Sequence, residues 1–239
     1  MATPFLCQPI QYGADIVVHS TTKFLSGHGN AMGGAIVDSG TFDWAQNDKY
    51  PSLAQPEEAY HGLNFYESFG DLAYTTYGHA VGLRDLGPTM APMNAYLTIM
   101  GIETLALRME KHVANAEVVA NYLHNHAKVS WVSYAGLEES NYFHLAKKYL
   151  PKGAGSVFTF GIKGGYDAGV KFVEKCQLLS HLANIGDTRS LVLHPASTTH
   201  RQLTETQRIS AGAGDDVIRL SIGLETVEDI IADLEQALR

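Results

Sequence analysis

The sequence predicts an α/β protein in two lobes, and three observations carry that prediction. Short apolar, β-branched runs recur along the chain, a long stretch of three-and-four spacing divides it near the middle, and strands alternate with helices beyond that stretch. The 239 residues are 45% hydrophobic and 18% charged, enough apolar material for a real core and far from the composition of disorder.

In order along the chain, Ile16-Val17-Val18 reads as a short strand bounded by Gly13 and Asp15 before it and Ser20-Thr21-Thr22 after it, of the kind buried in a parallel sheet. Ala35-Ile36-Val37 is a second such run. The loop between them, Ser26 to Gly34, holds four glycines in nine residues, Gly27, Gly29, Gly33 and Gly34, where backbone bends sharply or approaches another group. Residues 41 to 90 are rich in aromatics, including Trp44, Tyr50, Phe65 and Tyr77, and lack a clean period, so short helices and long loops are expected there. From Pro92 the spacing turns helical through Met93, Leu97, Met100, Met109, Val113, Ala116, Ala120 and Leu123, with Gly101 as the expected bend in a connector between domains. Past His126 come strands at Val129 to Ser133, Val157 to Phe160 and Val217 to Ile222. Asp167 is expected to cap a helix carrying Val170, Val173, Cys176 and Leu179, and Thr226 to Asp229 gives a capping-box pattern for a last helix ending near Leu238.

Charge and composition exclude several functions. With 17 Lys and Arg against 25 Asp and Glu the formal net charge is −8, and no basic run offers the cations that a nucleic-acid backbone requires. No stretch approaches the roughly 20 apolar residues of a membrane span, and the first five residues lack the pattern of a secretory leader, so neither nucleic acid nor membrane is expected as a partner. Cys7 and Cys176 are too few for a disulfide framework, which agrees with a cytoplasmic location. His194 and His200 have no third ligand spaced to join them, so no metal is expected.

Two constellations carry chemistry. Ser20-Thr21-Thr22-Lys23 follows the first strand, the place where open α/β sheets present ligand groups. In an extended segment Ser20 and Thr22 point the same way and offer two hydroxyls to one phosphate, beside a lysine whose amine suits covalent attachment of a carbonyl cofactor. The bland alternative is a solvated loop lysine among turn residues. In Val217 to Ile222, Ile218, Leu220 and Ile222 share one side and turn Arg219 and Ser221 to the other. A mid-strand arginine needs a partner, and its planar fork suits a carboxylate, either of a substrate or of an acidic side chain of the protein.

The segment from Asp15 to Gly29, Asp-Ile-Val-Val-His-Ser-Thr-Thr-Lys-Phe-Leu-Ser-Gly-His-Gly, resembles the lysine segment of the Cys/Met-metabolism family of pyridoxal-phosphate enzymes. Arg219-Leu220-Ser221-Ile222-Gly223-Leu224-Glu225 is similar to that family's C-terminal motif, and Gly186 to His200 to its His-Pro-Ala-Ser segment. The resemblance implies a PLP-dependent transferase fold of type I, aspartate-aminotransferase-like, with pyridoxal 5'-phosphate as cofactor. It implies Lys23 as the Schiff-base lysine, Ser20 and Thr22 as phosphate ligands, and Ser190 and Arg219 at the substrate's α-carboxylate.

Three further segments, Asn184 to Arg189, Pro56 to Leu63 and Arg84 to Pro88, and the long aromatic insertion between Phe42 and Tyr77, resemble the O-acetylhomoserine sulfhydrylase branch. That branch implies a γ-replacement in which O-acetyl-L-homoserine reacts with sulfide or methanethiol to give homocysteine or methionine and acetate, in an intact homotetramer. Methionine γ-lyase and the cystathionine γ-synthase and lyase activities of the family are the alternatives, and a non-catalytic assembly module is the alternative from another class. The family's pyridinium aspartate, upstream Tyr-x-Arg, Gly-Met loop and ring-stacking tyrosine have no counterpart here. The expectation is therefore a C-terminal portion, with residues 1–110 the remainder of the large cofactor domain and residues 111–239 the small domain, active when a complementing N-terminal portion is supplied.

Overall fold

The computed structural model describes residues 2–239. They divide into two compact units, one of residues up to Cys7, Thr21–Met32 and Leu97–Arg239, the other of Gln8–Ser20 and Gly33–Tyr96. The helices are α1 (Thr3–Leu6), α2 (Pro51–Ala54), α3 (Phe65–Phe69), α4 (Ala73–Tyr77), α5 (Pro92–Glu103), α6 (Leu105–His124), α7 (Phe143–Tyr149), α8 (Gly165–Lys175), α9 (Glu205–Ser210) and α10 (Val227–Leu238). The strands are β1 (Ile16–Ser20), β2 (Gly34–Asp38), β3 (Val129–Ser133), β4 (Val157–Ile162), β5 (Ser180–His181), β6 (Leu191–Leu193) and β7 (Val217–Ser221).

In the larger unit the sheet runs β3-β4-β7-β6-β5, antiparallel except for the parallel β5–β6 pair. The period of two in its central strands decides which face is covered. Phe158, Phe160 and Ile162 of β4 and Ile218, Leu220 and Ile222 in and just past β7 join one buried cluster with Ala116, Val119, Ala120 and Leu123 of α6, Phe172 and Val173 of α8, and Ile230 and Leu234 of α10. Each fully buried side chain of this size contributes about 1.5–3 kcal/mol. A smaller cluster joins Leu6, Phe24 and Leu25 to Leu105, Met109 and Val113 of α6.

The smaller unit confirms the expected short helices of the aromatic region. Trp44, Leu53, Phe65 and Ala73 form its core, with Trp44 stacked on Tyr74 at 5.3 Å and 8° between planes. Asn64 caps α3, its side chain accepting from the Glu67 amide at 3.2 Å.

Several local expectations are corrected. β1 and β2 are not buried strands of a parallel sheet: they pair with each other, antiparallel, from Ile16 opposite Asp38 to Ser20 opposite Gly34. Val18 and Ile36 remain 72% and 58% exposed. An apolar β-branched run encodes a strand but not the direction of its neighbour. The bend expected at Gly101 falls instead at Thr104, between α5 and α6. Gly101 serves a close approach, because a Cβ there would stand 2.3 Å from the Ser26 carbonyl oxygen. Asp167 lies inside the first turn of α8, whose cap is Gly164 at φ 108°, and the helix ends at Lys175, before Cys176 and Leu179. Thr226 caps α10 by position only, without a side-chain hydrogen bond. A complete capping box appears at Thr204 and Gln207, opening α9.

Candidate active site

Lys23 sits in a single helical turn, Thr21–Leu25, which its own backbone interrupts at φ −89° and ψ −133°. The Ser26 amide donates to the Thr21 carbonyl at 3.0 Å, and the Gly27 amide to the Lys23 carbonyl at 2.8 Å, closing the turn. The Lys23 Nζ donates to Asn184 Oδ1 at 2.5 Å. Among the described residues no carboxylate pairs with this amine. Thr21 Oγ1, in the same turn, is buried with no hydrogen-bond partner.

Arg219 is the third of five residues in β7, opposite Thr159 of β4 and Leu193 of β6. It is half-buried on the face away from the helices, and burial lowers its guanidinium pKa below the ordinary value. No carboxylate among the described residues pairs with it. Its Nη2 donates to the Asn184 carbonyl oxygen at 3.4 Å. Asn184 therefore meets both cations, Lys23 through its side chain and Arg219 through its backbone. Ser221, on the same strand face, accepts from the Gly186 amide at 3.0 Å and fixes the same segment.

The remaining residues singled out from sequence occupy different posts. Ser190 is fully buried, its Oγ donating to Glu225 Oε2 at 2.8 Å and accepting from the Gly223 amide at 2.8 Å, while its own amide donates to Glu225 Oε1 at 2.7 Å. The hydroxyl is thus engaged in latching the end of β7 and is not brought to the Arg219 guanidinium. Ser20 is exposed at the end of β1, and Thr22 is half-buried in the turn. The extended segment that would align the two ends at Ser20, where the backbone becomes helical. His194 is buried, with Nδ1 against Ser197 Oγ at 2.9 Å and Nε2 against the Asp215 carbonyl at 2.9 Å, so both nitrogens are occupied within the protein.

Sequence reasoning missed Asn184 as a site residue. Its signal was weak: a lone amide before Ile-Gly-Asp, noted for branch resemblance only. Also missed were Arg108, His112 and Asn115, polar residues at spacings of four and three on the otherwise apolar face of α6, all buried.

Among the described residues, a lysine amine held by a neutral carboxamide, an orphaned buried hydroxyl in its turn and a half-buried guanidinium with no internal anion fit a carbonyl cofactor and an amino acid. Residues 1–239 match the family described as Cys/Met metabolism PLP-dependent enzyme, and the chain belongs to that family. It is 48% identical to an O-acetyl-L-homoserine sulfhydrylase of Leptospira meyeri over 100% of this chain and 56% of that relative. It is 52% identical to a homocysteine synthase of Schizosaccharomyces pombe over 98% of this chain and 55% of that relative. A crystal structure of a putative O-acetylhomoserine (thiol)-lyase from Campylobacter jejuni, which carries a pyridoxyl-lysine monophosphate, matches with a TM-score of 0.94 at 44% identity, over 99% of this chain and 56% of that one. The type I PLP-enzyme fold expected from the resemblance is therefore the fold of this chain, which spans about half the length of the relatives it matches.

Proposed function

We propose that this chain supplies the lysine and the carboxylate site of a PLP-dependent γ-replacement, converting O-acetyl-L-homoserine and sulfide, or methanethiol, to homocysteine, or methionine, and acetate. The observation that carries the reading is Asn184, which meets the Lys23 amine at 2.5 Å and the Arg219 guanidinium at 3.4 Å. Substrate carboxylate and reactive amine are thereby referred to one residue.

Lys23 would hold pyridoxal phosphate covalently, with Ser20 and Thr22 as the phosphate ligands that the resemblance implies. When bound, the cofactor supplies an electron sink for charge developing at the substrate's α-carbon. Arg219 binds the α-carboxylate through its planar fork, an interaction its half-burial strengthens. Lys23, once its amine is free, takes the proton from Cα and moves protons at Cβ, so that acetate can leave Cγ and the sulfur nucleophile can add there. Asn184 orients both groups, since its carboxamide oxygen accepts from the lysine and its carbonyl from the arginine. Ser190 contributes by holding Gly223 and Glu225, which follow Arg219 along the chain. Residues 1–110 belong in this reading to the large domain and residues 111–239 to the small one. The working form is a cytoplasmic homotetramer that includes the segment which the relatives carry beyond the matched half.

The test is to supply O-acetyl-L-homoserine and sulfide to the chain, alone and together with the upstream segment of a relative, and to measure homocysteine. The expected result is turnover that Lys23→Ala abolishes. Turnover undiminished in Lys23→Ala, or methionine cleavage to an oxo acid outrunning γ-replacement, would overturn the assignment.

A further inference from the structure

Arg108 of α6 is 6% exposed, and among the described residues no carboxylate pairs with it. A buried cation without a counter-ion is expensive unless its N–H donors find acceptors, and four of the five guanidinium donors do. Here Nη1 donates to the Phe24 carbonyl at 2.9 Å and Nη2 to the Gly101 carbonyl at 2.6 Å. Nη2 also reaches the Leu25 carbonyl at 3.4 Å, and Nε donates to Thr104 Oγ1 at 3.2 Å. Phe24 and Leu25 are the two residues that follow Lys23.

The fit leaves no slack. Gly27, at φ 77°, lies against the guanidinium so closely that a Cβ would stand 2.2 Å from Nη1. Gly101 admits the Ser26 carbonyl on the neighbouring side, as described above. One turn further along α6, His112 Nδ1 is 2.6 Å from the Ile222 carbonyl, which makes that nitrogen the protonated one. Asn115 Nδ2 donates to the Gly223 carbonyl at 3.0 Å and the Glu225 carbonyl at 2.8 Å. One face of a single helix thus holds the backbone that follows Lys23 and the backbone that follows Arg219.

We propose that Arg108 is a positioning residue for Lys23, holding the lysine turn on α6 so that the amine meets Asn184 beside Arg219. The inference rests on the reading of Lys23 as the cofactor lysine, and it acts through the Phe24 and Leu25 carbonyls without contact to any reacting atom. Lysine at this position lacks the planar fork that reaches both carbonyls at once, so it restores only part of the hold.

The test uses the full chain in three forms, native, Arg108→Lys and Arg108→Gln, with two readouts. Hydrogen exchange at the Ser26 and Gly27 amides, which close the turn, should accelerate at least tenfold in Arg108→Gln and less in Arg108→Lys, while the Phe160 and Leu220 amides of the sheet stay unchanged. The fraction of Lys23 converted to a borohydride-stable pyridoxal-phosphate adduct should fall in the same order. Unchanged turn amides, or acceleration spread equally over turn and sheet, would overturn the proposal, the second because it marks a general stabilising role. Absence of a Lys23 adduct in the native chain would instead overturn the functional reading, and exchange alone would then decide the role of Arg108.

Discussion

At the scale of single residues, Arg219 and Ser190 differ in how far the protein itself satisfies their polar groups. Among the described residues Arg219 has the Asn184 carbonyl and no carboxylate, whereas Ser190 spends its hydroxyl and amide on Glu225 and Gly223. Their substitutions should therefore separate. Arg219→Gln should raise KM for the amino-acid substrate by roughly tenfold to a hundredfold, the worth of about 1.5–3 kcal/mol for hydrogen bonds to a charged group, with a smaller effect on kcat. Ser190→Ala should lower stability by about 1–3 kcal/mol in denaturant unfolding, because it strands the buried Gly223 amide, and should change KM less than Arg219→Gln does. A KM change in Ser190→Ala as large as that of Arg219→Gln would place its hydroxyl at the substrate.

At the scale of elements, α6 joins the apolar core to the site, and its polar stripe brings a pH dependence. Burial lowers the pKa of His112 from its ordinary value of 6.5, and the nearby Arg108 lowers it further, against opposing contributions from the Ile222 carbonyl, Glu225 and Asp187. The folded chain then resists a proton that the unfolded chain accepts, so the stability this residue gives is present above pH 6.5 and is lost as pH falls toward the depressed folded value. His194, lowered for the same first reason, adds to the loss in the same direction. Urea unfolding at pH 7.5 and 5.5 should show lower stability at the acid value, and His112→Asn, which keeps a donor for the Ile222 carbonyl, should reduce the difference.

The same helix shows what the sequence made legible. Met109, Val113, Ala116, Ala120 and Leu123 follow the spacing that predicts a helix, and all five are buried. Ile218, Leu220 and Ile222 likewise show the face of β7, and with it the side on which Arg219 lies. Arg108, His112 and Asn115 were not legible as site supports, because their partners, apart from Gly101 and the Thr104 hydroxyl close by on the chain, are backbone carbonyls more than 80 residues away, and a carbonyl has no side-chain signature. The Lys23 and Arg219 motifs were each readable by local pattern. Their meeting at Asn184 depends on the fold of the segment between β5 and β6.

For the whole molecule, in the function proposed, a chain of net charge −8 would draw its anionic substrate by local geometry rather than overall charge, through two half-buried cations, Lys23 and Arg219. The chain covers about half of its relatives' length, and Val18 and Ile36 of the β1–β2 ribbon stand open to solvent. In this chain Ile36→Lys should change unfolding free energy by no more than about 0.5 kcal/mol, as exposed positions do, and should reduce binding of a hydrophobic dye. The proposed role of Lys23 as the cofactor lysine can be checked by peptide mapping after borohydride reduction. With one equivalent of pyridoxal phosphate the reduced adduct should fall on Lys23 and should vanish in Lys23→Ala. Label distributed over the exposed lysines with Lys23 unmodified would contradict the account.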